Sequence, residues 1–241
     1  MEHAQKIRLR PEALGFKINI FTGHFGSGKS EIAVNFALKL SHACYPRVAL
    51  ADLDIVNPFF RSADARHLLE NEGVLLVTTG FANTNVDVPA LPSAMDALFE
   101  DPGMQMVLDI GGDDLGARVV SRYHREIAGS DHVLYVVVNT RRPETDTPKK
   151  VLAMLERIEA SSRLPAAGLV NNTHLLAETR ADILMEGQAI LEEVSKIRGI
   201  PVAMMAGLPE VLAEVPDDAA SRTLYGMLAL KKSIRLPWDR T

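Results

Sequence analysis

Short apolar runs alternate along the chain with longer segments in which apolar residues recur at helical spacing. Several of the short runs, such as VLYVVV at 133–138, are apolar at every position rather than at alternate positions. Such runs are typical of strands that are covered on both faces, and their alternation with helices is typical of a parallel sheet. The pattern therefore predicts an α/β fold with three layers, in which a mostly parallel central sheet of about seven strands is flanked by helices.

The same patterns predict where the strands and helices lie. Strands are expected at 17–22, 47–52, 74–79, 104–110, 132–139, 166–171 and 201–206. Helices are expected near 29–43, 61–72, 92–100, 114–128, 145–161, 178–198 and 217–230. We expect residues 1–16 to be a polar N-terminal extension and residues 17–241 to form a single domain that includes the C-terminal tail.

Composition and charge argue against several classes of protein. The chain carries 26 Lys+Arg against 31 Asp+Glu, and a net charge of −5 disfavours nucleic-acid binding through bulk positive charge. A single cysteine, Cys44, excludes a disulfide framework within the chain. The first residues lack the apolar core of a secretory signal, and the apolar runs are shorter than the ~20 residues of a membrane span. We therefore expect a cytoplasmic protein with no transmembrane segment and no clear nucleic-acid site.

The segment GHFGSGKS at 23–30 has the spacing G-x-x-x-x-G-K-[ST] of a phosphate-binding loop, between a predicted strand and a predicted helix. Glycines let successive N–H groups converge on an anion, and the start of the helix adds its positive end. Lys29 is expected to reach the β- and γ-phosphates, and the Ser30 hydroxyl is expected to ligate Mg²⁺. The residues expected to bind nucleotide here are Gly23, His24, Phe25, Gly26, Ser27, Gly28, Lys29, Ser30 and Glu31.

Acidic residues follow two other predicted strands. Asp52 and Asp54 end the second strand in ADLDIVNPFFR, and Asp109 ends the fourth in VLDIGGDD. In open α/β sheets, ligands bind at the carboxyl ends of the strands. One carboxylate of the Asp52–Asp54 pair can orient or deprotonate the attacking water, while the other holds a Mg²⁺-bound water or senses the nucleotide. Asp109 completes a Walker B pattern, so the expected Mg²⁺ residues are Ser30, Asp52 and Asp109.

The segment GLVNNTHL at 168–175 bears on the choice of base. A guanine site usually has the pattern N-K-x-D, and aligning it with residues 171–174 puts His174 at the aspartate position. A histidine cannot accept from both guanine N–H groups, which favours ATP over GTP. Asn171 or Asn172 is then expected to bond the adenine edge, and Pro209 is expected to form a wall of the base pocket.

The order GHFGSGKS, ADLDIVNPFFR, VLDIGGDD and GLVNN resembles the MinD/ParA class of P-loop ATPases over residues 17–212. This class, with the CobQ/CobB-type nucleotide-binding domains, belongs to the SIMIBI P-loop proteins. The resemblance implies Mg²⁺–ATP binding, slow hydrolysis to ADP, and nucleotide-driven homodimerisation or switching of a protein partner. It also implies that Lys29 and Asp52 are catalytic, with Asp52 positioning water, that Asp54 is a switch residue, and that Asp109 is the Walker B carboxylate.

His24 departs from that pattern. Many members of the class carry a lysine there, which reaches across a dimer to the partner's phosphates. A histidine is shorter, so this contact cannot be transferred to the present chain. Arg61 or Arg118 is the candidate for the missing charge.

Other functions remain open from the residues alone. A metal-delivering GTPase requires a guanine-specific aspartate and a metal site, for which His42 with Cys44 is the candidate. A non-hydrolytic nucleotide sensor would keep the loop, but the Asp52–Asp54 pair argues against it. A small-molecule kinase would use a carboxylate of that pair on an acceptor hydroxyl, facing Arg141 and Arg142. The expected function is a slow ATPase that acts on a protein partner, with cofactor or metalloenzyme maturation as the expected process.

Overall fold

The fold is taken from a computed structural model, which describes residues 7–43, 45, 47–54, 65–78, 90–112 and 120–233. The strands are β1 (Ile18–Thr22), β2 (Val48–Asp52), β3 (Val74–Thr78), β4 (Gln105–Asp109), β5 (His132–Val138), β6 (Gly168–Asn171), β7 (Val202–Gly207) and β8 (Met227–Ala229). They form one eight-stranded sheet in the order β3-β2-β4-β1-β5-β6-β7-β8. Every neighbouring pair in this sheet is parallel.

Helices cover both faces of the sheet. They are α1 (Lys29–His42), α2 (Arg66–Asn71), α3 (Ala90–Glu100), α4 (His124–Ala128), α5 (Pro148–Ser162), α6 (Ala181–Arg198) and α7 (Pro209–Glu214). The adjacent β1 residues Ile20 and Phe21 belong to different apolar clusters, the first packed with α3, α5 and α6 and the second with α1 and α2. Because both faces are buried, consecutive positions of a strand must be apolar. This explains the uninterrupted apolar runs and confirms the predicted three-layer parallel fold.

The predicted strands agree with the observed ones to within two residues at each end. The helix predicted at 217–230 is wrong, because this segment contains a 3-10 turn, Ala219–Arg222, followed by β8. Gly226 has a φ of +86° and interrupts any helix, and Met227 on the edge strand β8 then pairs with Met205 on β7. The predicted helices at 61–72 and 114–128 lie partly outside the described residues.

Residues 8–10 lie beside the start of β8. The backbone N–H of Arg10 donates to the carbonyl of Tyr225 at 2.8 Å, and Leu9 forms an antiparallel bridge with Gly226. Ala13, in the 3-10 turn Pro11–Leu14, is fully buried. Within the described ranges, no helix combines the length and the apolar character that a membrane crossing requires.

The strand order determines which loops can meet. β1 lies between β4 and β5, with β2 beyond β4 and β6 beyond β5. In a parallel sheet the carboxyl ends of these five strands lie along one edge, where ligands of open α/β sheets bind. The loops that follow β4, β5 and β6 therefore surround the loop that follows β1.

Candidate functional site

The loop between β1 and α1 curls because two of its glycines adopt left-handed backbone angles. The φ angles of Gly26 and Gly28 are +76° and +82°, a region in which other residues are strained. Gly28 is the residue that precedes α1, and no side chain caps the first turn of that helix. The first backbone N–H groups of the helix are thus suited to an anion.

The chain that follows β4 packs directly on this loop. A β-carbon added to Gly112 would lie 2.0 Å from the carbonyl oxygen of Gly23, which leaves room only for glycine. The Thr22 hydroxyl donates to the carbonyl of Gly111 at 3.4 Å, and the Ile110 N–H donates to the carbonyl of Phe21 at 3.0 Å. Residues 110–112 are therefore packed against the end of β1 and the start of the loop.

Three aspartates gather beside the loop. Asp52 and Asp109 are register partners on the neighbouring strands β2 and β4, and 2% and 0% of their surfaces are exposed. The backbone N–H of Asp54 donates to Oδ1 of Asp52 at 3.3 Å. The Asp54 carboxylate lies 2.7 Å from Nζ of Lys29, and both of these side chains are buried.

Lys29 remains a cation despite its burial. Desolvation alone would lower the pKa of its ammonium group, but the charges of Asp109, Asp54 and Asp52, with the hydrogen bond to Asp54, raise that pKa above its usual value. The ammonium is therefore charged across the neutral range. A buried, charged lysine at the first position of a glycine-loop helix is suited to binding phosphate oxygens.

The oxygen atoms of this site also fit Mg²⁺. Ser30, Asp52 and Asp109 are all buried at the same edge of the sheet, and hydroxyl and carboxylate oxygens are ligands that a hard cation prefers. No set of three His, Cys, Asp or Glu side chains forms a complete metal cage among the described residues. Mg²⁺ is usually held by one or two carboxylates together with substrate phosphates and water.

The outer side of the loop is held by side chains from the loops after β5 and β6. Asn172 Nδ2 donates to the carbonyl of Ser27 at 2.7 Å. The Gly26 carbonyl accepts from Arg142 Nε at 3.2 Å and from Asn139 Nδ2 at 3.4 Å. Because the C=O and N–H of one peptide point in opposite directions, holding the Ser27 carbonyl outward turns the Gly28 N–H inward. Spacing along the sequence gave no signal for Asn139 or Arg142 as loop contacts.

The two asparagines expected at the adenine edge have other partners. Asn171 is fully buried, and its Nδ2 donates to the Leu184 carbonyl at 3.0 Å and to Gln188 Oε1 at 3.1 Å. The structure therefore corrects the expectation for Asn171, whose amide fastens α6 to the sheet. Asn172 lies against the phosphate loop, and its contact with a base stays a prediction.

His174 lies beside Asn172. Its Nδ1–H donates to the carbonyl of Asn172 at 2.7 Å, since a carbonyl can only accept. Burial lowers the pKa of His174, the positive charge of Arg142 lowers it further, and the bond to Asn172 only partly opposes these effects. The ring is therefore neutral at pH 7 and does not act as a carboxylate substitute.

The remaining predicted residues lie at the rim of the site. His24 Nδ1 is 3.9 Å from the Glu144 carboxylate, and Phe25 is 58% exposed. Glu31 accepts hydrogen bonds from the backbone N–H of Ser233 at 2.6 Å and from its hydroxyl at 2.5 Å, so its carboxylate is engaged by Ser233. Pro209 begins α7 directly after β7.

Other candidate residues from the sequence lie away from the phosphate loop or outside the described residues. Arg61, Arg118 and Cys44 lie outside the described residues. The ring of His42, the other half of the candidate metal pair, lies 2.8 Å from Glu72. Arg141 pairs with Glu186 on α6, whereas its neighbour Arg142 reaches the phosphate loop.

Comparison with known proteins supports the fold. No protein-family profile and no curated protein sequence matches the chain. The cell division protein FtsY from Thermotoga maritima is similar in structure, with a TM-score of 0.52 and 17% identity over 87% of this chain and 70% of that one. FtsY from Mycoplasma mycoides gives a TM-score of 0.50 and 17% identity over 83% of this chain, which spans 60% of that protein. Both are P-loop NTPases, and the chain has their fold.

We expect Gly112→Ala to lower the free energy of unfolding by about 1–3 kcal/mol, because the new methyl group cannot fit against the Gly23 carbonyl. Urea denaturation measures this change. Gly103→Ala is the matched control, since the closest atom to its added β-carbon is 3.6 Å away. Equal stabilities of the two variants would show that the segment after β4 does not pack on the loop as described.

Proposed function

We propose that the chain binds Mg²⁺–ATP in the loop at residues 23–30 and hydrolyses it slowly, as a switch that acts on a second copy or on another protein. The observation that carries this proposal is the buried pair of Lys29 and Asp54 at 2.7 Å, at the start of the loop helix and beside Asp52 and Asp109. It brings together the cation and the carboxylates that phosphoryl transfer uses.

Binding uses groups that the fold has already positioned. The inward N–H groups of the loop and the first turn of α1 receive the phosphate oxygens, and the Lys29 ammonium turns from Asp54 towards the β- and γ-phosphates. The Ser30 hydroxyl would ligate Mg²⁺ directly, while Asp109 and Asp52 would hold its water ligands. When bound, Mg²⁺ neutralises negative charge on the β- and γ-phosphates.

Hydrolysis requires one water molecule in line with the terminal phosphate. Asp52 is almost fully buried at the end of β2, and its carboxylate orients this water and accepts its proton. The bond from the water oxygen to the γ-phosphorus forms as the bond to the β–γ bridging oxygen breaks, which yields ADP and phosphate. Lys29 and the loop N–H groups stabilise the charge that develops.

Asp54 couples nucleotide binding to the rest of the chain. Its carboxylate binds Lys29, and its backbone N–H binds Asp52. Movement of Lys29 towards phosphate would therefore break its ion pair with the Asp54 carboxylate. It would also alter the hydrogen bond from the Asp54 N–H to the Asp52 carboxylate. This supports the switch role that the resemblance to MinD/ParA proteins implies.

The choice of ATP over GTP rests on the loop after β6. The guanine pattern N-K-x-D can start at Asn171 or at Asn172, and the aspartate position then falls on His174 or Leu175. His174 is neutral and already donates to a backbone carbonyl, while Leu175 is apolar. Neither side chain can accept from the two guanine N–H groups, so adenine is the proposed base, with Pro209 at the pocket wall.

The proposed partner surface surrounds the mouth of the site. Phe25 exposes 58% of its surface at the loop itself, and an exposed aromatic side chain beside a ligand site is typical of a contact surface. A second copy or a protein partner that covers Phe25 would lie next to the bound phosphates, so its binding would depend on which nucleotide is present. Maturation of a cofactor or a metalloenzyme is the proposed process.

Lys29→Ala is expected to abolish nucleotide binding. Asp52→Asn should still bind Mg²⁺–ATP, because the amide oxygen can accept from a Mg²⁺-bound water, but it should lose turnover by roughly 10²–10⁴-fold, because an amide cannot take up the proton of the attacking water. Isothermal titration measures binding, and phosphate release measures turnover. Asp182→Asn, which alters an exposed carboxylate paired with Arg180, is the control and should change neither. Retained hydrolysis in purified Asp52→Asn would contradict the assigned role of Asp52.

Competition against a fluorescent ATP analogue should show tighter displacement by ADP than by GDP. The physical reason is the lack of a carboxylate at both possible aspartate positions of the guanine pattern. The measurement is the ratio of the two inhibition constants at fixed Mg²⁺. A ratio that favours GDP would contradict the ATPase proposal and support the GTPase alternative.

A further inference from the structure

We propose that Asn139 is a positioning residue for nucleotide binding, because its carboxamide joins the phosphate loop to the loop after β6 and holds the two in one arrangement. The inference rests on the proposed function, since it names a residue that shapes the same phosphate site. Asn139 directly follows β5, which lies between β1 and β6, and 1% of its surface is exposed. The strand order thus places it between the loops that follow those two strands.

Both ends of the Asn139 carboxamide are bonded. Its Oδ1 accepts from the backbone N–H groups of Arg141 at 3.0 Å and His174 at 3.2 Å. Its Nδ2 donates to the backbone carbonyls of His174 at 3.2 Å and Gly26 at 3.4 Å. Because one end meets two donors and the other meets two acceptors, exchanging the oxygen and the nitrogen would break all four contacts. The amide therefore has one orientation, which three different loops determine.

Asn139 is itself held in place by its own loop. Its backbone carbonyl accepts from the Arg142 N–H at 3.1 Å and from the Thr145 hydroxyl at 2.7 Å. Thr145 is as deeply buried as Asn139. Since the backbone is fixed, the Asn139 side chain loses little conformational freedom when it bonds the two neighbouring loops.

The contact with Gly26 acts on a peptide that is bonded at both of its polar groups. Gly26 has a φ of +76°, and its carbonyl accepts from Asn139 and also from Arg142 Nε at 3.2 Å. The N–H of the same peptide, which belongs to Ser27, donates to the His24 carbonyl at 3.0 Å. The turn at residues 24–27 is therefore fixed from outside the loop as well as within it.

The loop after β6 extends this restraint to the next peptide. Asn139 bonds both the N–H and the carbonyl of His174, whose ring donates to the Asn172 carbonyl at 2.7 Å. Asn172 in turn donates to the Ser27 carbonyl at 2.7 Å. Loss of the Asn139 amide would therefore release the Gly26 carbonyl directly and loosen the support of the Ser27 carbonyl. The N–H groups that receive phosphate would lose part of their preorganisation.

The test compares aspartate and alanine at position 139 in the full chain. Asn139→Asp keeps the size and the acceptor contacts, but an ionised carboxylate cannot donate to Gly26, whereas Asn139→Ala removes all four contacts. The matched controls are the same two changes at Asn19. This asparagine is also fully buried, but it donates to the Phe16 carbonyl at 3.0 Å, near the amino end of β1.

Three quantities are measured for each variant. Hydrogen exchange of the ligand-free chain reports on the backbone amides of residues 23–28, and titration with Mg²⁺ and a non-hydrolysable ATP analogue gives the affinity. The melting temperature shows how far each change destabilises the fold.

Both Asn139 variants should exchange the amides of residues 23–28 at least about fivefold faster than the wild type. They should also bind the analogue about tenfold more weakly or worse, which corresponds to the loss of one or two buried hydrogen bonds. The Asn19 variants should match the wild type in both measurements, even where their melting temperatures fall as far.

Unchanged exchange or unchanged affinity in the Asn139 variants, or equal changes in the Asn19 variants, would overturn the inference and leave the proposed function standing. Wild-type protein that does not bind the analogue would overturn the proposed function. Because hydrogen exchange requires no nucleotide, the two failures are distinguishable.

Discussion

The buried ion pair between Lys29 and Asp54 is the interaction on which the site depends. A buried ammonium is costly unless carboxylates surround it, and Asp54, Asp52 and Asp109 meet that requirement. The lysine begins α1, after β1, while the carboxylates end β2 and β4. The observed strand order β2-β4-β1 brings these strand ends together at one part of the sheet edge.

The loops after β4, β5 and β6, at the same edge of the sheet, hold the phosphate loop from its other sides. The chain after β4 approaches so closely that only glycine fits at position 112, and amide and guanidinium groups from the loops after β5 and β6 hold the carbonyls of Gly26 and Ser27. Backbone groups whose carbonyls are fixed outward present their N–H groups inward without further rearrangement. A phosphate site of this kind is preorganised, which is what electrostatic stabilisation of phosphoryl transfer requires.

The sequence alone predicted the fold because each core strand is buried on both faces and each helix alternates with a strand. It failed at 217–230, where tertiary pairing of Met227 with β7 outweighed local helical spacing. The loop motif and the strand-end aspartates were predictable, since they depend on spacing within short segments. Contacts across the sheet were not: nothing in local spacing distinguishes Arg142, which covers Gly26, from Arg141, which pairs with Glu186. Likewise, only the packing of α6 shows that Asn171 is committed to Leu184 and Gln188.

The central claim is that phosphate takes Lys29 from Asp54 and that this exchange is the switch. A crystal structure of the chain with Mg²⁺ and a non-hydrolysable ATP analogue tests it most directly. The predicted result places Nζ of Lys29 within hydrogen-bond distance of the β- and γ-phosphate oxygens, with its distance to Asp54 longer than the present 2.7 Å. An analogue bound away from residues 23–30, with the Lys29–Asp54 pair unchanged, would contradict the account.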